Sequence, residues 1–147
     1  MNEQIILGSD HAGFPLKTVC LEHLQQAGYL CEDLGTDSGS VSCDYPKFAA
    51  AVCERVKETG ARGLLVCGSG IGMSMAANRF SGIRAALCWN EFTARVSRAH
   101  NKANVLCLGA RVIGQGLALS VLDVFLQTGF EGGRHQQRIQ LFNEGIA

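Results

Sequence analysis

The chain has 147 residues, 47% of them apolar, with 13 Lys/Arg balanced by 13 Asp/Glu. That length and apolar content support a core needing neither disulfide nor metal, and a net charge of zero excludes a general nucleic-acid binder. Seven cysteines (20, 31, 43, 53, 67, 88 and 107) without a C-x-x-C pair, and no apolar run near the ~20 residues that span a bilayer, predict reduced thiols in a cytoplasmic protein without membrane contact. The N-terminus passes from Met1-Asn2-Glu3-Gln4 directly into a short strand, with no leader h-region.

Charge is nevertheless uneven. Residues 1–73 carry five Lys/Arg against nine Asp/Glu and residues 74–147 carry eight against four, net −4 and +4, so an anion is expected on the C-terminal half.

Taken in chain order, Ile5-Ile6-Leu7 reads as the first strand. Pro15 suits a helix N1 position, and Leu16, Val19, Cys20, Leu24 and Ala27 share one helical face up to Gly28, with His23 on the solvated side. Residues 29–34 form the second strand. A polar loop, 35–44, then leads into a helix opening near Pro46, with Phe48, Val52, Cys53 and Val56 inward and Gly60 closing it. Strand three is Leu64-Leu65-Val66, followed by a helix over 71–79. Residues 85–88 form strand four, 91–100 a helix, 105–108 strand five, 115–128 a long amphipathic helix and 134–144 a last helix released by Gly132-Gly133.

Strands separated by helices of this length require right-handed crossovers. The expected fold is therefore α/β: one domain, 1–147, with a doubly wound open parallel sheet of five strands in the order 2-1-3-4-5 and helices on both faces. Ligands of such sheets bind outside the strand carboxyl ends at the switch point, here between strands one and three. The loops meeting there are Gly8 to Gly13 and Cys67 to Gly72, the two richest in glycine and reactive side chains.

Cys67-Gly68-Ser69-Gly70-Ile71-Gly72-Met73 places a thiol at a strand's carboxyl end against a glycine turn and a helix start, an environment that favours thiolate and holds oxyanions. Three other readings of the run fail at Met73 or for want of a lysine. A dinucleotide fingerprint needs glycine at 73, a phosphatase Cys-x5-Arg loop needs arginine there, and a P-loop needs Gly-Lys-Ser/Thr. The histidines 11, 23, 100 and 135 offer no zinc-ligand spacing, so no metal is expected. Arg134 and Arg138, one helical turn and ~6 Å apart, suit a bidentate phosphate clamp. A solvated basic face would show the same spacing.

The runs Gly8-Ser9-Asp10-His11-Ala12-Gly13-Phe14, Asp44-Tyr45-Pro46, Cys67 to Gly72, Ala76-Ala77-Asn78, Gly82-Ile83-Arg84-Ala85, Ser97-Arg98-Ala99-His100-Asn101, Asn104-Val105-Leu106, Gly109-Ala110-Arg111 and Glu131 to Arg138, together and in order, resemble the type B ribose-5-phosphate isomerase family, which includes allose- and galactose-6-phosphate isomerases. The resemblance implies interconversion of an aldose phosphate and its ketose through a cis-enediolate, without metal or cofactor. It implies Cys67 as the base at C2, Ser69 and the N–H groups of Gly70, Ile71 and Gly72 as the oxyanion hole, with Gly68 lining it, and His100 as the ring-opening group. Asp10 and Tyr45 would position sugar oxygens, Asn101 would touch the substrate, and His11, Arg111, Arg134 and Arg138 would hold the phosphate. In the family the site lies at a dimer interface, so a homodimer or a dimer of dimers is expected, with a sugar phosphate as the small-molecule partner. Ser69 stands where many cysteine-type relatives have threonine. Relatives with a glutamate base carry it at the position of Met73, which leaves Cys67 without a competitor. A sugar-phosphate-binding protein without catalysis would have lost the base, and a redox-responsive thiol would need a resolving cysteine near Cys67; ribose 5-phosphate, allose 6-phosphate and galactose 6-phosphate remain open as substrates.

Overall fold

A computed structural model describes residues 3–144; residues 1, 2 and 145–147 of the expected domain lie outside the described residues. The elements are β1 (Gln4–Ser9), α1 (Phe14–Gln26), β2 (Leu30–Asp33), α2 (Tyr45–Thr59), β3 (Arg62–Cys67), α3 (Ile71–Ala77), β4 (Ala85–Leu87), α4 (Glu91–Ala99), β5 (Val105–Gly109), α5 (Gln115–Gln127) and α6 (Arg134–Glu144). Each agrees with the sequence reading to within two residues at either end. The punctuation works as its chemistry predicts: Pro falls in the first turn of α1 and α2, and Gly60 closes α2 in the left-handed conformation, φ 73°.

The five strands form one parallel sheet, but its order is β2-β1-β3-β5-β4 and not the expected 2-1-3-4-5. The physical reason lies in the two strands themselves. All five residues of β5 are buried, whereas β4 has three residues, each half-buried. An apolar strand buried throughout gains most in the interior of the sheet, and a three-residue strand can serve as an edge.

The exchange also moves a helix. With right-handed crossovers, the step from β3 outward to β4 puts α3 on the face of α2, while the return from β4 to β5 puts α4 on the opposite face with α1 and α5. The core divides accordingly. Ile5, Leu7, Leu64, Val66, Leu106 and Leu108 meet Leu16, Cys20 and Leu24 of α1, Ala94 of α4 and Val121, Leu122 and Phe125 of α5. Ile6, Leu65, Cys67, Val105 and Cys107, pointing the other way by strand alternation, meet Val52, Cys53 and Val56 of α2 and Met73 and Ala77 of α3.

Four side chains depart from the helical-face reading. On α1 the buried set is Leu16, Lys17, Cys20 and Leu24; Ala27 is exposed and Val19 only half-buried. Lys17 is fully buried because its Nζ reaches out of the core to Asp33 Oδ1 at 2.6 Å and the Thr36 carbonyl at 2.6 Å. His23 is not simply solvated: its Nε2 lies 2.7 Å from Asp123 Oδ1, joining α1 to α5 across 100 residues of sequence.

Lys17 therefore fastens β2 and the start of loop 35–44 to α1. Lys17→Met is expected to lower stability by about 1–3 kcal/mol, because it strands the Thr36 carbonyl and removes the cation from the partly exposed carboxylate of Asp33. Urea denaturation measures this directly. A loss below about 0.5 kcal/mol would show that desolvation of the ammonium cancels its pairing.

Candidate active site

The strand order brings three loops together. Because β3 lies between β1 and β5, with Cys67 opposite Gly109 and Val66 opposite Ser9, the loops after all three strands open at one end of the sheet. The crossovers leaving β1 and β5 run to one face and the one leaving β3 to the other, which leaves a crevice at β3. Into it open Asp10, His11, Ala12, Tyr45, Cys67, Gly68, Ser69, Gly72, Arg111 and Val112, lining a cavity of about 370 Å³. A larger cavity of about 690 Å³, lined by Arg79, Arg84, Asn101 and Phe142 among others, has no thiol, imidazole or carboxylate in its lining. The chemistry therefore lies in the smaller one.

Cys67 is 4% exposed and receives the N–H of Gly70 at 3.1 Å from its sulfur. The turn that makes this possible requires glycine: Gly70 has φ 77°, and a Cβ there would lie 2.5 Å from Leu87 Cδ1 and 2.9 Å from the Leu108 backbone. At Gly72 a Cβ would fall 2.6 Å from Cζ of Tyr45, so the missing side chain lets the tyrosine ring lie on the loop.

Two of the N–H groups expected to face an oxyanion have partners within the loop. The Gly70 N–H is spent on the Cys67 sulfur and the Ile71 N–H on Ser69 Oγ, at 3.2 Å. Ser69 Oγ accepts there, which leaves its own O–H to donate.

Around the thiol, Asp10 is buried and its Oδ1 accepts the Gly13 N–H at 2.9 Å. His11 Nδ1 accepts the Cys43 N–H at 3.3 Å, so the neutral ring carries its proton on Nε2. That bond also pins the far end of loop 35–44 beside the cavity. Arg111 is held by its backbone N–H on the Gly68 carbonyl at 2.9 Å, with its guanidinium over Gly68: a Cβ there would lie 3.3 Å from Nη1. Had β4 adjoined β3, as expected, the Arg111 loop would have been one strand away.

Six expected residues are not on this cavity: Gly70 and Ile71, whose N–H groups are turned within the loop, and four from other parts of the chain. His100 caps α4, Asn101 is exposed and lines the larger cavity, and Arg134 and Arg138 are exposed on α6, neither in an ion pair among the described residues. The structure joins His100 instead to two residues not singled out from the sequence. Its ring stacks on that of His135, centroids 4.2 Å apart and 9° from parallel, and Glu131 Oε2 lies 3.8 Å from His100 Nε2 and 3.6 Å from His135 Nε2. Glu131 and His135 are four apart, and that spacing was the available signal. The three are the one group among the described residues that could hold a metal ion.

Burial pushes Cys20 and Cys53 up to about 12, Cys107 well above the ordinary thiol value, and Cys31 and Cys88 upward as well. These five are held as neutral, inert packing groups. No helix among the described residues is long and apolar enough to cross a membrane.

An open parallel sheet with a thiol, a carboxylate, imidazole and guanidinium around a small polar crevice defines an α/β protein built for a small anionic ligand. The chain belongs to the ribose/galactose isomerase family, whose model matches residues 5–142. It is 45% identical to the ribose-5-phosphate isomerase B of Escherichia coli, over 94% of this chain and 93% of that one. Among solved structures, a ribose 5-phosphate isomerase of Thermotoga maritima superposes with a TM-score of 0.95 at 46% identity, covering 99% of this chain and 100% of the other. Ribose-5-phosphate isomerase B of Mycoplasma genitalium, solved with bound ribulose-5-phosphate, gives 0.94 at 41% identity, with 98% and 96% covered.

Proposed function

We propose that the protein is an aldose–ketose isomerase converting ribose 5-phosphate to ribulose 5-phosphate, with Cys67 as the general base. The observation that carries this reading is the sulfur of Cys67 on a sugar-sized cavity with an amide N–H 3.1 Å away, in a chain whose relatives carry that activity. The thiolate takes the proton from C2. The C2–H electrons form the C1–C2 double bond while the carbonyl pair moves onto O1, and the Ser69 hydroxyl donates to that oxyanion. Transfer of the O2 proton to O1 and return of the carbon-bound proton to C1 complete the ketose. Asp10 and Tyr45 orient the hydroxyls, and His11 and Arg111 meet the phosphate from this side.

The reading extends to a second copy of the chain. His100, Asn101, Arg134 and Arg138 would enter the Cys67 cavity of a neighbouring protomer, supplying ring opening and the rest of the phosphate clamp. Exposed apolar side chains at the same end of the sheet support this: Ile71 and Met75 after β3, Trp89 and Phe92 after β4, and Val112 after β5. Side chains of this size left in solvent mark an interface. The dimer would be the working unit, in the cytoplasm.

Purified protein assayed against ribose 5-phosphate, allose 6-phosphate and galactose 6-phosphate tests the substrate assignment, with ribose 5-phosphate expected to give the highest kcat/KM. A hexose phosphate giving the highest value would reassign the sugar, and binding of all three without turnover would remove the catalytic reading. For His100, His100→Asn is expected to slow the cyclic sugar far more than a substrate already in the open form. Equal losses on both would make it a positioning residue.

A further inference from the structure

We infer that His100, Glu131 and His135 form a binding site for a divalent transition metal of the zinc class, and that an ion held there reversibly inhibits the enzyme. The donor atoms of the three residues lie within 4.8 Å of one another. Two imidazole nitrogens and one carboxylate oxygen are a recognised three-ligand zinc set, which leaves a fourth position open. Imidazole favours zinc, nickel, cobalt or copper over magnesium or calcium.

The fold builds this convergence from three separate places. His100 ends α4, and the chain returns to it after α5, where the Glu131 N–H bonds the Ala99 carbonyl at 3.0 Å. Gly132 and Gly133, at φ 70° and 55°, then turn the backbone so that α6 begins at once and His135 falls one turn from Glu131. His135 is buried, 6% exposed, and provides the fixed member; His100 and Glu131, with side chains 40% and 61% exposed, are free to adjust.

The required adjustment is small. Tetrahedral zinc with bonds of about 2.0–2.1 Å places its ligand atoms roughly 3.3 Å apart, and Glu131 Oε2 is already 3.6 Å and 3.8 Å from the two nitrogens. His100 must tilt out of its stack, since parallel rings do not aim both lone pairs at one point. Arg134 adjoins His135 on α6, and Arg138 follows one turn on. The same two arginines disfavour a bare dication and draw an anion into the fourth position.

Inhibition rests on the ring-opening assignment: a metal on His100 Nε2 occupies the lone pair that would handle the sugar's ring proton. The Cys67 of the same chain is not a ligand, since it lies on a different cavity.

Co²⁺ titrated into chelator-washed, intact protein tests the site by absorption spectroscopy. One ion per chain is expected, with d–d bands and without the intense thiolate charge transfer that cysteine ligation produces. Glu131→Gln and His135→Gln should each weaken binding by more than about tenfold, and Cys67→Ala should leave it unchanged. Glu131 is exposed, so its variant retains the fold even if the buried His135 variant does not. Binding unaltered in Glu131→Gln, or a charge-transfer band lost in Cys67→Ala, overturns the site. Zn²⁺ should inhibit turnover of cyclic ribose 5-phosphate over the range in which it binds, and Glu131→Gln should resist it by the factor lost in binding. Binding as expected with turnover unaffected supports the site and overturns its inhibitory role, and with that the ring-opening assignment of His100.

Discussion

Cys67→Ala is expected to lower isomerisation by about 10²- to 10⁴-fold, the range spanned by a general base. The protein should still fold and bind inorganic phosphate. Cys67 is one small residue of the α2/α3 core cluster, and the groups proposed to meet phosphate, His11, Arg111, Arg134 and Arg138, lie outside its loop. Far-ultraviolet circular dichroism and phosphate inhibition verify the two conditions. Exchange of the C2 proton with solvent deuterium should cease together with turnover. A variant that keeps more than about a tenth of wild-type activity would refute the thiolate mechanism. Iodoacetamide supplies a second readout. Cys20, Cys31, Cys53, Cys88 and Cys107 are held neutral by burial, so inactivation should track labelling of Cys67 ahead of these five.

Arg138→Ala carries the second large effect. Loss of a charged, bidentate phosphate contact is worth about 1.5–3 kcal/mol, roughly 10- to 150-fold in kcat/KM. Inhibition by inorganic phosphate should weaken in parallel, while slow turnover of unphosphorylated ribose should not change. Parallel losses on ribose and its phosphate would show that Arg138 acts on the fold and not on the anion. Its location makes a stronger test possible, because Arg138 is absent from the walls of the Cys67 cavity of its own chain. Mixing the Cys67→Ala and Arg138→Ala proteins under subunit exchange should restore part of the activity, since a mixed dimer holds one cavity with both groups intact. Exchange without recovery would place base and clamp on one chain.

The local parts of this protein are legible in its sequence because they depend on neighbours a few residues away. Apolar runs of period two, prolines at helix starts and Gly60 at a helix end specify the elements to within two residues, since each is decided by backbone geometry and the burial of one face. The Cys67 loop is legible for the same reason. A strand, a thiol and a left-handed Gly70 in succession have few conformations in which the chain can turn without a clash.

What depends on which strands adjoin was decided only in the tertiary structure. β5 displaced β4 from the middle of the sheet because five apolar residues gain more from burial than three half-exposed ones, a comparison no single window of sequence contains. That one exchange set Arg111 beside Gly68, moved α4 to the face of α1 and α5, and put His100 against Glu131 and His135. Lys17 and His23 follow the same rule, as their partners Asp33 and Asp123 lie 16 and 100 residues away. Helical and strand periodicity report which face a side chain occupies. The charge it meets there depends on long-range packing, where the apolar burial of whole strands outweighs any local preference.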